Sequence, residues 1–239
     1  MKKFRSNLSC FYIPELELTT IQLSEEESKH AIKALRLKIG DYVLLTNGQG
    51  TLAQAQIVDN HIKHTVLQIE EMEIVPPNEN RLHIALSILQ HADRFEWFVE
   101  KAVELGIAEI TPILCTRTEK KHINTERIKK IAISALKQSR QAYLPKINEA
   151  ETFTHFIQNC GSINKAIAMC EGNRIVLSQW MQTINKNELT VVIGPEGDFT
   201  EQEAEFALTH GFVPIQLGNS ILRSETAAVY VAAVSRFLF

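Results

Sequence analysis

Two polar turns near the end of the chain hold the side chains with the most chemical promise. In the first, the apolar run Val191-Val192-Ile193 stops at Gly194-Pro195-Glu196-Gly197-Asp198-Phe199-Thr200. In the second, Leu217-Gly218-Asn219-Ser220-Ile221-Leu222 leads into Arg223-Ser224-Glu225-Thr226. Glycines at the end of a strand let backbone approach a ligand closely, and proline stiffens the turn. The helix behind the first turn opens with Thr200-Glu201-Gln202-Glu203, a capping box. Its first amide donors are therefore already satisfied, and acids surround it, so the turn is a poor phosphate cradle. An uncharged or cationic ligand with many hydrogen-bonding edges suits it better, and the same residues serve equally well as a structural corner. Arg223 stands just before a helix start, where the macrodipole disfavours a cation. An arginine placed against that preference points to a ligand or to an acidic partner, such as Glu225 or a phosphate. Glu225 itself occupies a first-turn position that the macrodipole favours.

Several chemistries are absent. The chain has no G-x-x-x-x-G-K-[ST] phosphate loop, no G-x-G-x-x-G dinucleotide turn and no G-x-S-x-G elbow. Cys10, Cys115, Cys160 and Cys170 have no C-x-x-C spacing, so neither a disulfide framework nor a zinc site is expected. His61 and His64 are close in sequence, but no carboxylate or cysteine cluster completes a metal site.

These turns need a framework to position them, and the 239 residues suffice for one large or two modest domains. Hydrophobic content of 45% and charged content of 22% are those of a soluble globular protein. No apolar run is long enough to cross a bilayer. No apolar signal core follows the basic start Met1-Lys2-Lys3-Phe4-Arg5, so a cytoplasmic protein is expected.

Residues 1–75 read as short strands around one helix. Ser24-Glu25-Glu26-Glu27 is a capping box that opens a helix over residues 25–35. A hairpin turn, Asn47-Gly48-Gln49-Gly50, separates two strands, the second of which alternates with period two. This unit is expected to be a small β-barrel. Glu73-Ile74-Val75-Pro76-Pro77-Asn78-Glu79-Asn80 is the natural linker. Beyond it, over residues 76–239, strands alternate with helices, notably at 94–105, 125–138, 201–210 and 225–238. That pattern predicts an α/β domain with a parallel sheet covered on both faces.

The net charge of −3 hides an asymmetry. Residues 117–146 contain nine cations (Arg117, Lys120, Lys121, Arg127, Lys129, Lys130, Lys137, Arg140 and Lys146) and two acids, Glu119 and Glu126, a balance of +7. Residues 187–222 contain six acids and no lysine or arginine. Such a stretch faces a polyanion, or is a solvated helix face whose counter-charges lie elsewhere in the fold.

The two turns together resemble the RsmE family, the bacterial methyltransferases that act on N3 of a uridine in 16S ribosomal RNA, within the SPOUT superfamily. Other segments resemble the same family in order: His30-Ala31-Ile32-Lys33-Ala34-Leu35-Arg36 followed by Gly40-Asp41, Glu100-Lys101-Ala102-Val103-Glu104-Leu105-Gly106-Ile107 with Ile110-Thr111-Pro112, and Gln138-Ser139 with Pro145. The resemblance covers nearly the whole chain. It implies a PUA-like RNA-binding barrel at residues 1–75 and a SPOUT methyltransferase domain at 76–239 whose tail threads a deep trefoil knot, one of the rare exceptions to unknotted chains. It implies S-adenosylmethionine as cofactor, no metal, a homodimer with sites at the interface, and 16S ribosomal RNA or the small ribosomal subunit as partner.

Carried over to this chain, Gly194, Pro195, Glu196, Gly197, Leu217 and Gly218 hold the cofactor, largely through backbone groups. Ile221, Leu222, Thr226 and Ala227 wall its adenine and ribose, and Met169 and Cys170 form a third loop. Arg223 and Glu225 lie nearest the transferring methyl. Arg223 would stabilise the anion formed when the uridine imide proton leaves, and Glu225 would orient Arg223. Arg36, Arg94, Arg117, Lys129, Lys130, Lys137 and Arg140 are the expected RNA contacts. The chain departs from the family pattern with Asp198 in place of a second glycine, His91 in place of a lysine and Gln141 in place of an arginine. Ribose 2′-O-methylation of RNA and a non-catalytic ribosome-assembly role are the alternative readings.

Overall fold

The computed structural model describes residue 4 and residues 7–16, 19–184 and 188–238. Residues 1–3 and 5 of the basic start, and Asn187 at the head of the acidic stretch, lie outside the described residues. The chain forms two compact units, residues 1–77 with 133–144, and residues 78–132 with 145–239.

The first unit contains β1 (Ser9–Tyr12), β2 (Thr20–Gln22), α1 (Glu25–Lys29), β3 (Tyr42–Thr46), β4 (Thr51–Asp59) and β5 (Val66–Ile74). They form one five-stranded sheet in the order β1-β3-β4-β5-β2. The β3–β4 and β4–β5 pairs are antiparallel, whereas β1 joins β3 in parallel. Ser24 caps α1 by accepting from the Glu27 amide at 3.2 Å. The expected continuous helix is split, because His30–Ala34 winds as a π-helix. Arg36 follows with φ 56°, a left-handed conformation that ends the helical run. At the hairpin, Asn47 Oδ1 accepts from the amides of Gln49 and Thr51 at 2.8 and 3.0 Å. Phe11, Val43, Leu45, Ala53, Ile57 and Leu67 are buried together as the core of this unit.

Residues 133–144 join this unit by backbone pairing. Gly50 N donates to Ala142 O at 2.8 Å, and Tyr143 Oη donates to Val75 O at 2.7 Å.

The second unit carries β6 (Arg81–Ser87), α2 (Ala92–Glu104), β7 (Glu109–Leu114), the start of α3 (Thr125–Ser139), β8 (Lys146–Ile147), β9 (Glu151–Thr152), α4 (Phe153–Asn159), β10 (Asn164–Ala168), β11 (Ile175–Val176), α5 (Leu177–Thr183), β12 (Glu188–Ile193), α6 (Glu201–Thr209), β13 (Val213–Gln216) and α7 (Ser224–Leu238). The strand order is β11-β13-β10-β12-β6-β7-β8, with β9 also on β7, and every pairing is parallel. A parallel sheet is covered on both faces, which explains why β6 and β12 bury successive residues, Ile84–Ser87 and Leu189–Ile193, rather than alternate ones. Ala85, Ile113, Ile167, Val192, Phe153 and Phe199 share one buried cluster. α2 buries Phe95, Phe98, Val99, Ala102 and Val103, the stripe its helical spacing predicts. The small residues Ala227, Ala228 and Ala232 of α7 are buried too, and α7 packs on α2 and β6.

β10 ends at Ala168, and Met169 and Cys170 lie in the loop beyond its carboxyl end. β11 and α5 were not foreseen: two strand residues and a seven-residue helix are too short to show a period.

Candidate active site

Ligands of open parallel sheets bind beyond the carboxyl ends of the strands. Here β10, β12 and β13 are neighbours, and their carboxyl ends, Ala168, Ile193 and Gln216, line a cavity of about 470 Å³. The volume is in the range of small-molecule sites. The loops after the same three strands complete it. Met169 and Cys170 follow β10; Gly194, Pro195 and Glu196 follow β12; Leu217, Gly218, Ile221 and Leu222 follow β13. Arg223 and Ala227 line it as well. The two turns thus form one site. Among the expected cofactor residues, Gly197 and Thr226 do not line the cavity, and neither does Glu225. Sequence reasoning missed Arg174, Asn219 and Ser220, which do.

Two glycines sit where a side chain would be strained. A Cβ on Gly194 would sit 3.1 to 3.3 Å from three atoms of the Phe199 ring. Gly218 has φ 137°, a conformation that side-chain-bearing residues rarely adopt. Among the described residues, no backbone hydrogen bond ties residues 218–222 to the rest of the chain. The turn is largely exposed, so its amides and carbonyls are free of the fold's own hydrogen bonds.

The first turn is held from behind. Glu196 Oε1 accepts from the Gln90 amide at 3.1 Å, and Arg117 Nη1 donates to Gly197 O at 2.6 Å and to Phe199 O at 3.2 Å. Thr200 and Glu203 form the expected capping box. Asp198 has φ 59°, which an aspartate tolerates where most residues would not. Its Oδ2 accepts from the Cys170 amide at 3.0 Å and its Oδ1 from the Phe199 amide at 2.8 Å. Across the cavity, Arg174 Nη1 donates to Met169 O at 2.9 Å and to Cys170 O, and its Nε donates to Gly172 O at 3.2 Å. Partial burial, and then the Asp198 carboxylate, push the Cys170 thiol above its ordinary value. The thiol is therefore held protonated and is a poor nucleophile.

Arg223 is exposed at the edge of the cavity. Glu225 is buried, with 6% of its surface accessible. Its charged neighbour is Arg94, whose Nε lies 3.9 Å from Oε1, and not the adjacent Arg223 as expected; its Oε2 has no hydrogen-bond partner. Arg94 thus lies beside the start of α7, within ion-pair but not hydrogen-bond distance of Glu225.

The basic stretch is partly neutralised by the fold. Arg127 chelates Glu96 with Nε and Nη2, Lys129 pairs with Glu126 at 3.2 Å, and Lys146 pairs with Glu109 at 3.0 Å. In the first unit, Lys137 meets Glu27 at 2.7 Å. Among the described residues, Lys120, Lys121 and Lys130 are exposed and form no ion pair. In the first unit, Arg36 is exposed, and Arg140 is half-buried with φ 55°. No metal-holding cluster occurs among the described residues.

A larger cleft, about 710 Å³, opens at the amino ends of β6, β7 and β12. Its polar groups largely satisfy one another. His83 Nε2 bonds Thr111 Oγ1 at 2.7 Å, and Asn148 Nδ2 donates to Glu109 and Thr111, each at 2.7 Å. This network belongs to the fold, whereas the second turn of the smaller cavity has backbone groups to offer.

Comparison with known proteins agrees with this geometry. Residues 76–236 match the family model of an RNA methyltransferase domain, and residues 23–67 match that of an RNA methyltransferase PUA domain. The ribosomal RNA small subunit methyltransferase E 2 of Borreliella burgdorferi is 30% identical over 218 residues, which span 87% of this chain and 87% of that protein. A probable rRNA-methyltransferase from Porphyromonas gingivalis has a similar crystal structure, with TM-score 0.86 and 33% identity, covering 95% of this chain and 96% of that one. The ribosomal RNA small subunit methyltransferase E of Neisseria gonorrhoeae, solved bound to S-adenosyl methionine, is similar with TM-score 0.84 and 25% identity, over 97% of this chain and 98% of that one. The chain belongs to the RNA methyltransferase family, and within it to the ribosomal RNA small subunit methyltransferase E proteins.

Proposed function

We propose that the protein transfers a methyl group from S-adenosylmethionine to small-subunit ribosomal RNA, at N3 of a uridine in the 16S molecule. The observation that carries this reading is the cavity at the carboxyl ends of β10, β12 and β13, walled by a turn whose backbone groups are not used by the fold. The cofactor is a zwitterion with an added sulfonium charge, an adenine and a ribose. The cavity matches that mixture: it offers a largely exposed turn at residues 218–222 whose backbone bonds no other backbone group, the acid Glu196, and the apolar side chains Met169, Ile221 and Leu222. When bound, the cofactor supplies an electrophilic methyl group.

The residues divide the remaining work. Gly194, Pro195, Glu196, Leu217 and Gly218 bind the cofactor, with Met169 and Cys170 on the facing loop, while Gly197 supports the turn through its carbonyl, which accepts from Arg117. Ile221, Leu222 and Ala227 flank its adenine and ribose. Arg223, exposed beside the cavity, stabilises negative charge that develops on the uridine carbonyl oxygens as the imide proton leaves N3. Stabilisation of this kind is commonly the largest catalytic contribution. Glu225 is buried behind the cavity wall, with Arg94 Nε 3.9 Å from its Oε1, and it shapes the charge around Arg223 rather than touching the substrate.

The first unit, residues 1–77 with 133–144, serves as a PUA-like module for RNA, and the second, residues 78–132 with 145–239, as a SPOUT domain with a knotted tail. RNA phosphates are met by Arg36 and Arg140 from the first unit and by Lys129 and Lys130 from the second. Arg94, Arg117 and Lys137 add positive potential while holding their protein partners. The enzyme works as a cytoplasmic homodimer on the small subunit or its RNA.

Titration calorimetry with S-adenosylmethionine, followed by transfer of labelled methyl to ribosomal RNA, tests the reading. Saturable binding and incorporation into 16S RNA are expected. Failure to bind the cofactor would refute it.

A further inference from the structure

Two charged side chains grip opposite edges of the loop that follows β10. Arg174 donates to three of its carbonyls, those of Met169, Cys170 and Gly172. Asp198 accepts from the Cys170 amide and, with its other oxygen, from the Phe199 amide. Asp198 lies in the turn after β12, so its carboxylate bridges two walls of the cavity, adding to the packing of Met169 on the cluster that holds Phe199. Gly172 has φ 90° in the middle of the loop, and no strand or helix orders residues 169–174. These side-chain bonds, with the Met169 amide donating to Ile215 O at 3.1 Å, are therefore what fixes the loop.

The conformation of Asp198 supports this role. At φ 59° glycine is the unstrained residue, and an aspartate is tolerated because its short acceptor side chain bonds nearby backbone. Here both oxygens are so used.

We propose that Asp198 is a positioning residue that locks the β10 loop, braced internally by Arg174, against the Gly194-Pro195-Glu196-Gly197 turn, and so sets the affinity for S-adenosylmethionine without taking part in methyl transfer. The inference rests on the cofactor reading of this cavity. Preorganising a loop raises affinity by removing the ordering cost from the binding step.

Asp198→Gly is the discriminating variant, because it removes both bonds while relieving the left-handed backbone, so the fold is retained. Its dissociation constant for S-adenosylmethionine, measured by calorimetry, should rise about tenfold, the scale of one lost charged hydrogen bond. The KM for the cofactor should rise in parallel, with kcat and the KM for RNA little changed. Asp198→Asn keeps one acceptor and should fall between the glycine variant and the parent. Hydrogen exchange of the Cys170 amide in the cofactor-free protein should speed up in the glycine variant, which reads the lock without the cofactor. A glycine variant that binds as tightly as the parent, or a Cys170 amide that exchanges at the parental rate, overturns the proposal. A parent protein that binds no S-adenosylmethionine refutes the functional reading and with it the affinity claim, whereas the exchange rate still judges the lock.

Discussion

Replacing Gly194 by alanine should damage the cofactor site through a single ring. The added Cβ would lie 3.1, 3.2 and 3.3 Å from three atoms of Phe199, closer than carbon atoms normally approach. The ring has little room to yield. It is 7% exposed and rests on Phe153, itself 2% exposed, with ring centroids 5.3 Å apart. The backbone must then move, and the backbone of Phe199 is bonded to Asp198, which holds the β10 loop. Overpacking of this kind costs about 1–3 kcal/mol. For a chain of this size each kcal/mol lowers the melting temperature by about 2–4 °C. Gly194→Ala should therefore melt several degrees lower and bind S-adenosylmethionine more weakly. A double-mutant cycle isolates the cause. Phe199→Leu shortens the obstructing ring, so Gly194→Ala combined with Phe199→Leu should lose less than the two single changes summed. Additive losses, or a Gly194→Ala protein with parental melting and affinity, would refute the packing argument.

Other expectations follow from particular side chains. Arg223→Ala should lower kcat by about 10²–10³, the usual cost of one charge-stabilising donor, while cofactor affinity measured by calorimetry changes little; full activity in this variant would remove Arg223 from the chemistry. Lys130→Glu should weaken RNA binding and flatten its dependence on salt, since each phosphate contact contributes about −0.9 to the slope on duplex and about −0.7 on single strands; an unchanged slope would exclude this face. Burial pushes the Cys115 thiol from the ordinary 9.0 up to about 12. The unfolded chain then loses this proton before the folded one does, so stability falls as pH rises from 9 towards 12, by at most about 1.4 kcal/mol per pH unit from this group. Cys115→Ala should flatten that part of a urea-derived stability profile, and an unaltered profile would contradict the assignment.

Much of the site was legible because its halves are local. Gly-Pro-Glu-Gly ends an apolar strand and meets a capping box, and the second turn opens the last helix; each signal is complete within about ten residues. Side chains that act over distance were not legible. Glu225 was expected to pair with its neighbour Arg223, but α2 packs on α7 and brings Arg94 instead. Arg174 binds backbone carbonyls, which any sequence supplies, so no pattern announces it. The balance of +7 over residues 117–146 overstated the local potential, because Glu96, Glu109 and Glu27 arrive from other elements to meet Arg127, Lys146 and Lys137. Residues 133–144 read as part of the second domain in linear order, yet they pair with Gly50 and Val75. Asp198, a departure from the family pattern, found its explanation only in the φ of 59° and the two amides it holds.

The central claim is that this cavity and Arg223 methylate a uridine base in small-subunit RNA. The most direct test is nucleoside mass mapping of 16S ribosomal RNA isolated from cells with and without the protein, complemented by the parent or by Arg223→Ala. One 3-methyluridine should be present with the parent, and absent both without the protein and with the Arg223→Ala variant. A methyl group found on ribose, or a 3-methyluridine that persists in the absence of the protein, would contradict the account.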